Sequence, residues 1–135
     1  MIAATILAIF IIFGAGGGVF GELMTKYTKD PIKTTIVEDD RRDKALDGLG
    51  DLKDAIKDFN KQVSKDIKQF DKLVNNFDST PEEFNQMVSN VFAKRQQEVE
   101  KFWELRSAML THIKADEWKT IISSAKAKAE EKAKK

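Results

Sequence analysis

His112 is the only imidazole in a chain of 135 residues that has no cysteine. It follows Met109 by three residues and precedes Asp116 by four, a spacing that could set all three on one helical face. Glu83 or Glu117 could add an oxygen ligand. A transition-metal site normally needs more nitrogen or sulfur than one histidine supplies, so His112, the one candidate ligand of this kind, is expected to have a surface or packing role instead. Met24, Met87 and Met109 are too scattered for a soft-metal cluster and suit core filling. Ser123 and Ser124 lack the Gly-x-Ser-x-Gly context of a nucleophile elbow. The carboxylates Glu82, Glu83, Glu98 and Glu100 read as helix cap and solvent face, not as an acid–base pair. The residue types therefore predict no enzyme and no cofactor. A net charge of +1 argues against a nucleic-acid partner.

The aromatic residues offer a different chemistry. Phe59, Phe70, Phe84, Phe92 and Phe102 supply much apolar area for a small helical protein. Most of it should fill a core. Any remainder would line an apolar concave face able to hold a protein client or partner.

Those residues must be positioned by long helices. From Ala45 to Phe77 the apolar positions Leu49, Leu52, Ile56, Phe59, Val63, Ile67, Phe70, Val74 and Phe77 advance in steps of three and four. This predicts one long amphipathic helix, with a stutter at Val63–Ile67 where the seven-residue repeat breaks. Asn75, Asn76, Asp78 and Ser79 then carry turn chemistry. Thr80-Pro81-Glu82-Glu83 is a helix start: Thr80 as N-cap, Pro81 in the first helical position and Glu83 closing a capping box. A second helix follows, with Phe84, Met87, Val88, Val91, Phe92, Val99, Phe102, Leu105, Met109, Leu110 and Ile113 as its apolar positions. Two long helices with a short connection bury their stripes by folding back antiparallel. Trp103 and Trp118 lie off the main stripe, so a third helix or a second chain should cover them. Lys114-Ala115-Asp116 marks a bend before a shorter C-terminal helix. Residues 123–135, rich in Lys, Ala and Glu, should form a fraying helical tail.

Ahead of the hairpin, Ile2 to Gly21 carry no charge. At about 1.5 Å per residue the run covers about 30 Å, enough to cross a bilayer. An uncleaved anchor over 1–24 is expected, because no basic residue precedes the run as a signal peptide would want. The alternative is a signal sequence cut near Gly14, Ala15 and Gly16. Gly14, Gly17, Gly18 and Gly21 form overlapping Gly-x-x-x-Gly pairs, which would let two anchor helices pack closely. Residues 25–40, broken by Thr25, Thr28, Pro31, Thr34 and Thr35, read as an extended tether to the hairpin of 41–122.

The Thr80 cap resembles the Leu-Thr-Pro-x-Gln caps of small periplasmic helical-hairpin proteins of the Spy/CpxP kind. Phe92-Ala93-Lys94-Arg95, Val99-Glu100 and Arg106-Ser107-Ala108 are similar to the long helix of the related heavy-metal sensor and resistance proteins. Ser79 and Glu83 stand where the cap has Leu and Gln. His112 alone stands for the several ligands of the metal-binding members. The resemblance implies a bacterial inner-membrane protein, single-pass, with a periplasmic domain that holds misfolded clients or signals stress through a partner. Lys26, Lys29 and Lys33 after the span point to the cytoplasm instead by the positive-inside rule. The whole reading is an all-α chain: a transmembrane helix, an antiparallel hairpin and a shorter C-terminal helix, acting as a homodimeric binding module. Its alternative is a structural subunit that pairs by coiled coil in a membrane assembly.

Overall fold

The computed structural model describes residue 21 and residues 23–135. Within them the chain is all helical, without strands. A π-helical turn, Leu23–Tyr27, leads into α1 (Lys29–Thr35), α2 (Asp39–Asn75), α3 (Pro81–Leu110) and α4 (Ala115–Ala133). The two long helices form the expected antiparallel hairpin. The span predicted over 1–24 lies, for residues 1–20 and 22, outside the described residues, as do Gly14, Gly17 and Gly18. Among the described residues no helix is long and apolar enough to cross a membrane.

The cap at Thr80 forms as its residue types require. The Glu83 amide donates to Thr80 Oγ1, and the Thr80 amide donates back to Glu83 Oε2, both at 3.3 Å. In the turn before it, the Asp78 amide donates to Asn76 Oδ1 at 3.1 Å.

Residues 25–40 differ from the expected tether. Met24, Thr28, Ile32 and Ile36, each four apart, are all buried and join the core. Four-residue spacing is itself a helical stripe, obscured in the sequence by the threonines around it. Those threonines bond back to carbonyls a turn earlier instead of breaking the chain: Thr25 Oγ1 donates to Gly21 O at 2.6 Å and Thr34 Oγ1 to Asp30 O at 3.2 Å. Pro31 is the third residue of α1, where an N–H would have no intrahelical acceptor. The tail is helical as expected, since α4 continues to Ala133, and Ala125 is buried against the rest.

The core is therefore gathered at one end. The π-turn, α1, α4 and the base of the hairpin bury Leu49, Leu52, Ile56, Met109, Ile113 and Ile121. Gly48 lets α2 and α3 approach there: a Cβ in its place would sit 2.9 Å from Met109 Cβ. A bidentate ion pair ties the base together. Arg41 donates from Nη1 and Nη2 to the two carboxylate oxygens of Glu117 at 2.7 and 3.1 Å, and from Nη1 to the His112 carbonyl at 3.1 Å. Beyond Phe59 the hairpin continues as a two-helix arm.

Candidate functional site

The arm is held in register by charge. Arg95 of α3 pairs through Nη2 with Asp66 of α2, and both side chains are almost wholly buried. Arg95 Nη1 also donates to Glu98 at 2.9 Å, Gln62 donates to Asp66 Oδ1 at 3.1 Å, and Lys94 stands 3.7 Å from the same oxygen. The guanidinium lies 5.1 Å from the centroid of Phe59. Polar satisfaction on every side is what allows these two charges to stay out of water.

This pair corrects the stutter. Leu52, Phe59, Asp66 and Leu73 are spaced by strict sevens, as are Val88, Arg95, Phe102 and Met109 on the facing helix. The seam runs on without interruption, and Asp66 occupies a seam position that an apolar-only reading passes over in favour of Ile67. The signal is present as a charge in each of two facing heptad series.

Ile67 consequently turns out of the seam. With Val63 and Phe70 as a positions and Asp66 and Leu73 as d positions, Ile67 and Val74 are e positions. On α3, where Arg95 is an a position, Phe92 and Val99 are e positions. In an antiparallel pair the e positions of both helices open on the same side, because opposite chain directions reverse the sense of rotation. One side of the arm thus carries exposed apolar groups: Ile67 is 62% exposed, Val74 60% and Phe92 45%, with Phe70 at the edge at 39%, while Phe77, in the turn after α2, is 99% exposed. At the base the corresponding side is covered, since Leu46, Ile113 and Trp118 pack into the core.

The five phenylalanines fall into two roles. Phe59 meets Phe102 edge-on at 5.5 Å between centroids, and Phe70 meets Phe84 at 5.3 Å. These four zip the hairpin together, with Phe59 buried, so they form a seam more than an open concave surface. Phe92 has no such ring partner among the described residues and lies on the e side. Gly21 is buried within the chain, where a Cβ would stand 3.3 Å from Ile56 Cγ2. Trp118 is half-buried on α4 and shares the Arg106 guanidinium with Trp103, at 5.7 and 5.0 Å, while Trp103 remains largely exposed.

His112 lies in the turn between α3 and α4, not on a helix, so Met109, His112 and Asp116 do not share a helical face. Met109 is fully buried in the core. Among the described residues no three His, Asp or Glu side chains gather so as to hold a metal ion. The ionisable groups that are shifted serve the fold. The Arg41 guanidinium holds Glu38 below the usual carboxylate range by hydrogen bonding first and charge second; it holds Glu117 there by hydrogen bonding, with the Lys114 amide adding to it, and is itself raised by both carboxylates.

No family model, curated protein or solved structure matches this chain.

Proposed function

We propose that the chain is a membrane-tethered binding module of the bacterial cell envelope, which holds a protein client or partner on the e side of its arm. The observation that supports this most is the placement of Ile67, Val74, Phe77 and Phe92 outside a seam that contains a buried ion pair. A helix stripe widened from a and d to e is the pattern of a bundle with more than two helices. Among the described residues no third helix lies along the arm. The base packs around its own core, so the arm can present this face without the fold depending on it.

The test is a double substitution, Phe77→Lys with Phe92→Lys, in the full-length protein in detergent. Added to an aggregating model protein, the parent should delay the rise in light scattering and the variant should not, at equal helicity by circular dichroism. Equal delay by both would remove the face from the reading, and no delay or captured partner with either would remove the binding module itself. The proposed side of the membrane is periplasmic. A C-terminal alkaline phosphatase fusion should be active there and a fluorescent-protein fusion dark; the reverse pattern would put the arm in the cytoplasm.

A further inference from the structure

We propose that the e side of the arm is closed by the arm of a second copy, the two α2 helices running antiparallel about an axis near Lys72. The inference rests on the reading of that side as a protein-binding face and names its occupant. Three features select this partner and this direction.

The first is area. The exposed parts of Phe70, Phe77 and Phe92, with aromatic side chains burying roughly 150–250 Å² each, together with Ile67 and Val74 leave on the order of 500 Å² of apolar surface per copy. Two such faces together reach about 1,000 Å², the size at which a specific interface becomes sustainable. The second is shape. An axis near Lys72 sets Phe70 of one copy against Val74 of the other, a larger group against a smaller one, and brings Ile67 to the end of the other α2, next to the turn that carries Phe77. The third is charge. The face is acidic toward the tip, at Asp78, and its rim is basic nearer the base, at Lys68. Antiparallel pairing brings Lys68 of one copy to the level of Asp78 of the other, twice by symmetry. Parallel pairing crowds Asp78 and Glu82 of both copies at one end. The acidic tip also disfavours the rival occupant, an anionic lipid surface. Asp71 and Lys72 lie beside the axis, where each stands at the level of its own counterpart and of the opposite charge of the second copy.

This geometry puts the two bases at opposite ends. The base core at Leu49–Ile56 lies about 24–35 Å of helix from the axis, so the two bases stand about 60 Å apart.

The chain has no native cysteine, so single-cysteine variants report the pairing directly. In full-length protein in detergent, Asp71→Cys should form a disulfide-linked dimer on mild oxidation. Asn60→Cys, on the same side but about 36 Å from its counterpart, should not. By sedimentation the parent should be dimeric, and Val74→Lys with Phe77→Lys should raise the dissociation midpoint by about 100-fold at unchanged helicity. A dimeric Asp71→Cys variant that stays unlinked, or an Asn60→Cys variant that links as readily, overturns the antiparallel pairing. A monomeric parent overturns the second copy as occupant; if that monomer still delays aggregation through Phe77 and Phe92, the binding face itself stands.

Discussion

Replacing Asp66 by Ala removes one of two carboxylates from an Arg95 side chain that is only 3% exposed. Breaking a buried pair from one side costs about 3–5 kcal/mol, because the remaining charge stays out of water. Arg95 keeps Glu98 at 2.9 Å and the face of Phe59, which places the expected loss at the lower end, about 3 kcal/mol. Arg95→Met should cost a similar amount: Asp66 would keep Gln62 at 3.1 Å and the more distant Lys94 at 3.7 Å. Asp66→Leu combined with Arg95→Met should return to within about 1 kcal/mol of the parent, since a packed apolar pair replaces a fully satisfied ionic one at little net cost.

The cycle is measured by urea unfolding followed by circular dichroism, with hydrogen exchange locating the effect. In either single variant, amides of residues 60–75 and 81–100 should lose protection before those of the base, where Leu52, Met109 and Ile121 are packed. A double variant as unstable as the sum of its parents would refute the reasoning, because it would mean that the two charges do not share one buried interaction. So would single variants within about 0.5 kcal/mol of the parent, the range of an ordinary exposed position.

Three further outcomes follow from the base and the cap. Arg41 depresses Glu117 and Glu38 below their ordinary value of 4.5, so their contribution is complete above that pH and is lost as pH falls through the folded-state values. Arg41→Met should therefore be less stable near neutrality and lose less stability on acidification below about pH 4.5, read from urea midpoints across pH; parallel curves for parent and variant would exclude the pair. Gly48→Ala meets Met109 Cβ at 2.9 Å and should destabilise by about 1–3 kcal/mol, whereas Gly50→Ala meets nothing within 4 Å and should stabilise by up to about 1 kcal/mol through helix propensity. Equal thermal shifts for the two would contradict the close approach of α2 and α3. Thr80→Ala should cost about 1 kcal/mol by loss of the cap bond to the Glu83 amide, with urea unfolding as the check, and Thr80→Ser should retain most of it.

What can be read from the residues alone divides along range. The hairpin and the Thr80 cap are legible because period and capping are local: a stripe or a four-residue box carries its own evidence. The segment ahead of the hairpin reads as a tether because threonine and proline are weak helix residues, yet burial of Ile32 and Ile36 against α2 and α4 outweighs that preference. The stutter misleads for a related reason. An apolar residue, Ile67, stands one step from the seam, and a charge stands in it. Only a partner 29 positions later, Arg95, makes the charged position acceptable. The link from Arg41 to Glu117 spans 76 positions, and no local pattern marks it. For the exposed side of the arm, composition supplies the phenylalanines but not their division: four zip the hairpin, and Phe92 with Ile67 and Val74 remains outside.

That division bears on why the arm is built as it is. If stability alone governed the seam, an apolar residue would occupy position 66 and the carboxylate would face water. The reverse arrangement weakens an already thin two-helix contact. It gains something that an all-apolar seam lacks, since sliding α3 by one heptad against α2 would strand Asp66 among apolar groups and leave Arg95 displaced from its partner across the seam. A buried charge pair in a coiled coil is best attested as a register pin of this sort. With register set by charge, the apolar residues on the e side need not hold the hairpin together. They are available to whatever lies alongside, and the arm keeps its shape whether or not that neighbour is bound.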